Sequence, residues 1–112
     1  MHISAELRES APVFAALGDV TRLLLVTRLA AGEPRSITQL AAGTPVTRQA
    51  ITKHLRVLEG AGLARSSRQG REQLWELNRR QLDEARRSID SIARQWDSAL
   101  ERLKRSLEQE NS

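Results

Sequence analysis

The sequence predicts a mainly α-helical fold with one small β-hairpin, in the order α-α-α-α-β-β-α, and three observations support this. Apolar residues recur every three or four positions through most of the 112 residues, which is the helical period. The stretch 63–78 holds two short strand-like segments around a central glycine. A helical pattern without proline or glycine then fills 79–108. We expect one domain over residues 1–112, with its core at 10–78.

Two helices are predicted at the start of that core. Residues 1–9 are polar and expected to fray, and Ser10 is the expected N-cap of a first helix that ends at Gly18. Its apolar face comprises Ala11, Phe14 and Leu17. The second helix is expected over 20–31, capped by Asp19. Its core positions are Leu25, Val26 and Leu29.

Two further short helices, joined by a tight turn, are predicted next. Ser36 and Gln39 form a capping-box pattern at the start of the first, and the turn around Pro45 ends it. Thr47 can cap the second, which runs to Glu59 and buries Ile51, Leu55 and Leu58. The remaining face is polar and suits the major groove of DNA. It carries Arg48, Gln49, Thr52, Lys53 and Arg56.

The predicted hairpin follows this helix pair. Its first strand ends at Arg68, the turn lies at Gln69-Gly70, and the second strand begins at Arg71. Trp75 is expected to pack beneath the hairpin, whereas Arg68 and Arg71 at its tip are expected to contact phosphate or a minor groove. A helix-turn-helix followed by a basic hairpin is the outline of a winged DNA-binding module.

The distribution of charge favours the same interpretation. Between Thr44 and Arg71 there are six basic side chains against one acid, Glu59, a local balance of +5, so the whole-chain charge of +4 leaves −1 for the rest. A basic excess in one segment is expected for a polyphosphate partner, here double-stranded DNA. The alternative is an arginine-rich composition spread over a solvated surface.

The final helix carries an apolar stripe that continues beyond the length a domain of this size could cover. Burial within one chain is expected for the first half of the stripe, and an intersubunit contact for the second half. We therefore predict a homodimer in which this helix and the helix around Phe14 form the interface. The predicted interface residues are Phe14, Ile89, Ile92, Trp96, Leu100, Leu103 and Leu107.

Composition excludes several other classes of protein. The chain has no cysteine, which excludes disulfides, thiolate catalysis and metal sites built from thiolates. No apolar run approaches the roughly 20 residues that span a bilayer, and the N-terminus lacks a signal-peptide pattern, so we expect a cytoplasmic protein without a membrane partner. We expect no cofactor.

Two segments resemble the arsenic-repressor-type (ArsR-like) winged-helix transcriptional regulators. FAALGDVTR, residues 14–22, is similar to the family's F-x-A-L-[AG]-D-P-T-R, with Val20 in place of proline. AITKHLRVLEGAGL, residues 50–63, is similar to A-[VI]-[ST]-[KR]-H-L-x-x-L-x-x-A-G-L. The resemblance is close over 14–77 and implies a homodimeric repressor that occupies an inverted-repeat operator through helix 47–59 and wing 65–73.

The same resemblance assigns base reading to Arg48, Gln49, Thr52 and Lys53. His54 falls where the family more often has a helix-packing or phosphate-contacting residue than a metal ligand. The full predicted DNA-binding set is Thr47, Arg48, Gln49, Thr52, Lys53, His54, Arg56, Arg68 and Arg71.

The chain departs from the family in its sensing residues. Many members bind metals through a cysteine pair in the first helix of the motif, or through carboxylates and histidines on the last helix. Here the last helix offers Asp83, Asp90 and Asp97 without histidine, and acids spaced by seven are typical of a solvated face. We predict no metal site. A constitutive repressor and a sensor of an unidentified small molecule or partner protein remain open.

Two other classes of function compete with a regulator. An enzyme would need a nucleophile beside a base or a phosphate-binding glycine loop, and neither pattern is present. A protein-binding adaptor or antitoxin-like module would act mainly through the final helix. Salt-sensitive, sequence-selective DNA binding would distinguish the regulator from the adaptor.

Overall fold

A computed structural model describes residues 3–111, so the first two residues of the segment predicted to fray lie outside the described chain. The predicted order of elements is confirmed, with one strand added before the third helix. The elements are α1 (Ala5–Leu17), α2 (Val20–Leu29), β1 (Arg35–Ser36), α3 (Ile37–Ala41), α4 (Arg48–Gly60), β2 (Ala64–Gln69), β3 (Glu72–Leu77) and α5 (Arg79–Glu110).

Helix α1 begins earlier than predicted. Its N-cap is Ser4, whose hydroxyl accepts a hydrogen bond from the Leu7 backbone N–H at 3.1 Å, so residues 5–9 are helical instead of frayed. Ser10 was predicted as the cap but is buried, with its Oγ 2.9 Å from the Oγ of Ser88 on α5. The prediction failed because packing against α5, a tertiary contact, orders these polar residues.

The buried face of α1 also differs from the prediction. Val13 and Ala16 are buried, Phe14 and Leu17 are partly buried against the core, and Ala11 is exposed. The predicted spacing of three residues chose Ala11, one helical step away from the face that α5 and the core cover. On α2 the three predicted core positions are confirmed as buried, although the helix ends at Leu29 instead of Ala31.

The sheet has three antiparallel strands in the order β1-β3-β2. Strand β1 pairs Arg35 with Trp75, and its two residues are too few to show strand alternation in the sequence. The hairpin turn consists of Gly70 and Arg71, one residue later than predicted, because Gln69 pairs with Glu72. Gly70 has φ +64°, the positive value that the first central residue of a II′ turn requires.

The core lies between the helices and one face of this sheet. Trp75, on the central strand, is fully buried, as predicted for a packing residue. The other large, fully buried side chains of the core are aliphatic. Helices α1 to α4 each contribute at least one of them, and α5 contributes none. The largest fully buried side chains are Trp75, Leu25, Leu29, Leu40, Ile51, Leu55, Leu58, Leu63 and Val13.

Helix α5 runs away from this core. It is capped by Asn78, contains 32 residues, and buries Ala85 and Ser88 alone among its described side chains. The described chain therefore measures 72 × 29 × 24 Å. No single helix within residues 3–111 is both long and apolar enough to cross a membrane; α1 and α2 reach the length and composition together, across a 102° bend.

Candidate nucleic-acid interface and subunit interface

The N-terminus of α4 is fixed by a cap. The Thr47 hydroxyl accepts a hydrogen bond from the Ala50 backbone N–H at 3.1 Å, which begins the helix at Arg48 as the sequence predicted. Thr47 is itself exposed, but its hydroxyl serves the cap. Arg48 and Gln49 therefore occupy the first turn of the helix.

Helix α4 has one buried and one polar face. Ile51, Leu55 and Leu58 are fully buried, which fixes the rotation of the helix about its axis. Arg48, Gln49 and Lys53 are exposed, and within the described chain their side chains form no hydrogen bond or ion pair. These three predicted DNA-binding side chains are therefore free to bind an external partner.

Two other predicted contact residues on α4 are engaged within the chain. Thr52 is half-buried, and its hydroxyl donates to the Arg48 carbonyl oxygen at 2.9 Å. The Arg56 guanidinium donates to Glu59 Oε1 at 2.9 Å and lies 5.2 Å from the centre of the Trp75 ring. The Arg56–Glu59 pair is not among the predicted contacts, although a spacing of three on a helix is typical of such pairs.

His54 lies on the side of α4 that faces α2. Its Nδ1 is 3.2 Å from a guanidinium nitrogen of Arg22 and 3.8 Å from Asp19 Oδ1. Arg22 also donates through Nε to the Ala16 carbonyl oxygen at 2.6 Å. This arrangement agrees with the helix-packing alternative for His54, and it joins α4 to the end of α1.

Asp19 links the same cluster to the start of α2. Its carboxylate accepts a hydrogen bond from the Arg22 backbone N–H at 3.0 Å and so caps the helix as predicted. This hydrogen bond, together with the nearby charges of Arg22 and His54, lowers the pKa of the Asp19 carboxyl below its ordinary value. Asp19 therefore stays ionised beside His54 at neutral pH.

The hairpin presents a second set of free cations. Arg68 and Arg71 are exposed and, within the described residues, make no hydrogen bond or ion pair. Arg65, by contrast, pairs with Glu76 on the neighbouring strand at 3.1 Å. Arg68 lies two residues beyond Ser66 and hence on the same face of β2. Because Ser66 contacts Glu59 of α4, that face is the one toward the recognition helix.

The predicted interface residues on α5 lie on an uncovered surface. A groove of about 350 Å³ between α1 and α5 is lined by Phe14, Leu82, Ala85 and Ile89, among others. Beyond the groove the apolar stripe continues along the projecting part of α5. The exposed fractions are 54% for Ile89, 37% for Ile92, 65% for Trp96, 56% for Leu100, 56% for Leu103 and 53% for Leu107.

Metal-binding side chains are not gathered into a cluster in the described chain. Within residues 3–111 there is no group of three or more His, Asp or Glu side chains that could hold a metal ion. The two histidines of the sequence are His54 and a residue outside the described range.

Comparison with known proteins gives the same outline. A family model described as a helix-turn-helix domain matches residues 17–67. The HTH-type transcriptional regulator Rv2034 of Mycobacterium tuberculosis is 36% identical over 85 residues, which cover 76% of each chain.

Solved structures extend the likeness to the flanking helices. An ArsR-like transcriptional regulator from Rhodococcus sp. RHA1 superimposes with a TM-score of 0.75 at 39% identity, covering 88% of this chain and 92% of that one. The homodimeric winged helix-turn-helix DNA-binding domain of a possible ArsR-family regulator from Mycobacterium bovis has a TM-score of 0.62 at 28% identity, covering 88% and 87%. At this coverage the shared part includes a large part of α5 as well as the helix-turn-helix.

Proposed function

This chain belongs to the ArsR-like winged helix-turn-helix transcriptional regulators, which bind DNA, and we propose that it acts as a homodimeric repressor of an inverted-repeat operator. One observation carries the DNA-binding mode. The recognition helix buries Ile51, Leu55 and Leu58 while Arg48, Gln49 and Lys53 are exposed and free of internal partners. A helix held in that rotation offers donors and acceptors to the edges of bases in a major groove.

Base reading is assigned to the first turn of α4. Arg48 can donate two parallel hydrogen bonds to guanine, and Gln49 can donate to and accept from adenine. Arg68 and Arg71 on the wing are assigned to phosphate or to a narrow minor groove, since a guanidinium there gains electrostatic attraction without needing a base partner. Lys53, one turn further along α4 than Gln49, is assigned to the edge of the major groove.

Dimerisation is assigned to the exposed stripe of α5 together with Phe14. Six large apolar side chains that are 37–65% exposed form a patch that a second copy of the same stripe would cover. The homodimeric structure of the related Mycobacterium bovis domain supports this assignment. Two-fold symmetry would present two recognition helices to half-sites about 34 Å apart, one turn of duplex, or a multiple of that distance.

The family and the basic surface favour a regulator over the adaptor, antitoxin-like and enzyme alternatives. Repression by occupancy needs just the two surfaces described, one for the operator and one for the second subunit. Since the proposed partner is double-stranded DNA and the relatives named above are bacterial proteins, the proposed location is the cytoplasm.

The proposed function is tested by titrating the protein against its own upstream DNA at two salt concentrations, with shuffled DNA of the same length as the control. We expect selective binding that weakens steeply as salt rises, because each neutralised phosphate releases counterions. A promoter fused to a reporter should be less active when the protein is present. Equal affinity for both DNAs, or no binding at low salt, would contradict the proposal.

We also propose that operator affinity is independent of metal ions, since the chain lacks cysteine and its last helix lacks histidine. Added Zn²⁺, Cd²⁺ or As(III) at low micromolar concentration should leave the affinity unchanged, as measured in the same titration. A tenfold shift, about 1.4 kcal/mol, that accompanies stoichiometric metal uptake would overturn this.

A further inference from the structure

Glu59 is a negative charge on an otherwise basic surface. The segment 44–71 holds six basic side chains and Glu59 as its one acid, which lies in the last turn of α4 with its side chain 36% exposed. A carboxylate near the phosphates of DNA is repelled by them and weakens binding. We therefore ask which contacts of Glu59 could compensate for this loss of DNA affinity.

The contacts of Glu59 supply this compensation, because they join the recognition helix to the wing. One carboxylate oxygen accepts from the Arg56 guanidinium at 2.9 Å, and the other accepts from the Ser66 hydroxyl on β2 at 3.4 Å. The Ser66 hydroxyl in turn accepts from Gln73 Nε2 on β3 at 3.1 Å. A continuous chain of hydrogen bonds therefore runs from α4 across both strands of the hairpin.

Arg56 holds the other end of this chain in place. Its guanidinium lies 5.2 Å from the centre of the buried Trp75 ring, within the range of a cation–π contact. Trp75 is fully buried on the central strand of the sheet, so the contact connects these hydrogen bonds to the packed core. Arg56 is thus occupied on both sides, by Glu59 and by Trp75.

We propose that Glu59 is a positioning residue that fixes the angle between the wing and the recognition helix, so that Arg68 and Arg71 reach DNA while Arg48 and Gln49 occupy the groove. This rests on the proposed DNA-binding function. Arg68 lies two residues beyond Ser66 on the same face of β2, so fixing Ser66 fixes the origin of the Arg68 side chain. Arg56 belongs to the same positioning unit instead of to the DNA contacts.

The Arg56–Glu59 pair contributes more to the position of the wing than to the stability of the fold. The Arg56 and Glu59 side chains are 53% and 36% exposed, and ion pairs at such sites contribute little to the stability of a fold. Removing Glu59 should therefore leave the melting temperature close to that of the wild type while the wing becomes mobile.

Three variants separate positioning from simple charge. Glu59→Ala removes the contacts and the charge. Glu59→Gln removes the charge, but its amide oxygen can still accept from Arg56 and its amide nitrogen can donate to the Ser66 hydroxyl oxygen. Glu72→Ala removes an acid at the wing tip that has no side-chain partner in the described chain. If charge alone mattered, all three would bind the operator more tightly. We expect Glu59→Ala to bind about three- to tenfold more weakly, Glu59→Gln to retain most of the wild-type affinity, and Glu72→Ala to bind equally or more tightly.

A double-mutant cycle identifies what Glu59 positions. In an Arg68→Ala background the further loss caused by Glu59→Ala should be smaller, since the side chain that it positions is gone, whereas in an Arg48→Ala background the two losses should add. Full additivity with Arg68→Ala, or tighter operator binding by Glu59→Ala, would overturn the proposal.

A measurement without DNA keeps this test separate from that of the proposed function. Amide hydrogen exchange of the free protein should be faster in β2 and β3 of Glu59→Ala than in the wild type, and unchanged in α2. If the wild type fails to select its operator, the proposed function fails and this inference with it. If the wild type selects its operator but wing exchange is unchanged in Glu59→Ala, this inference alone fails.

Discussion

Helices α4 and α5 each carry an apolar face at helical spacing, but the two faces meet different surroundings. On α4 the apolar side chains Ile51, Leu55 and Leu58 are fully buried, and the polar face is exposed at Arg48, Gln49 and Lys53. On α5 the apolar stripe from Ile89 to Leu107 is 37–65% exposed. The same sequence pattern thus gives an internal core contact in one helix and an open apolar surface in the other.

The difference follows from where each helix lies. Helix α4 is surrounded by α1, α2, α3 and the sheet, so its apolar face finds partners within the chain. Helix α5 packs against α1 along about its first half and then runs beyond the domain, where no other part of the described chain can reach it. Hydrophobic periodicity therefore predicts a buried face, and the length of the helix relative to the domain predicts whether its partner is another subunit.

The largest effect is expected from placing charges in the exposed stripe. Trp96→Glu combined with Leu103→Glu should yield monomers, and operator affinity should fall by about 10²–10⁴-fold because the half-sites are no longer bound as a linked pair. Sedimentation and the DNA titration measure the two effects. Ser98→Glu, about 200° around the helix from Trp96, is the control and should remain dimeric. Native-like dimers in the double variant would count against this interface.

The next effect tests the comparison with one substitution at two sites. In the monomeric background above, Leu55→Ala should lower the free energy of unfolding by about 2–5 kcal/mol, since it opens a cavity in a packed core. Leu100→Ala should change it by about 0.5 kcal/mol or less, as at other exposed sites. Urea denaturation compares the two. A loss at Leu100 as large as that at Leu55 would mean that the stripe is covered within the monomer.

The free arginines of α4 and of the wing should differ in their effect on DNA binding. Arg48→Ala should cost about 1–3 kcal/mol of operator affinity and relax the choice of base at one position in each half-site. Arg71→Ala should weaken binding to all sequences and reduce the magnitude of the salt slope by about 1. Selection from randomised sites, repeated at two salt concentrations, measures both. If Arg71→Ala alters the preferred bases while Arg48→Ala alters only overall affinity, the assignment of reader and anchor is reversed.

The smallest effect concerns the cap of α2. The pKa of the Asp19 carboxyl is lowered in the folded state, chiefly by the Arg22 backbone N–H, so its ionised form stabilises the fold above the unfolded-state pKa. That contribution is lost as pH falls through the lower folded-state pKa. Asp19→Asn should therefore destabilise the protein at pH 7 and make little difference at about pH 2. If Asp19→Asn changed the free energy of unfolding equally at pH 7 and at about pH 2, the ionised carboxylate would not be the source of the stabilisation.

The elements set by short-range signals could be predicted from the sequence. The capping box at Ser36, the cap at Thr47 and the turn glycine at position 70 fixed α3, α4 and the hairpin to within about a residue. The start of α1 could not be predicted in this way, since Ser4 and Ser10 are both acceptable caps and burial against Ser88 decides between them.

In the candidate site, too, the features set by local sequence signals were predictable and those set by tertiary packing were not. The exposure of Arg48, Gln49 and Lys53 follows from helical periodicity, so it was predictable. The contacts of Arg56, Glu59 and Ser66 were not, because they join elements whose relative position depends on the packed core. The placement of His54 beside Arg22 likewise required the packing of α2 on α4.

If a second copy of the chain covers the stripe on α5, the mass of the wild-type protein in solution should show it. Sedimentation equilibrium at micromolar concentration should give a species of two 12.6 kDa chains, about 25 kDa. Addition of an operator duplex should add the mass of one duplex to that dimer. A single 12.6 kDa species throughout the concentration range, with one chain bound per duplex, would show that no second subunit covers the stripe.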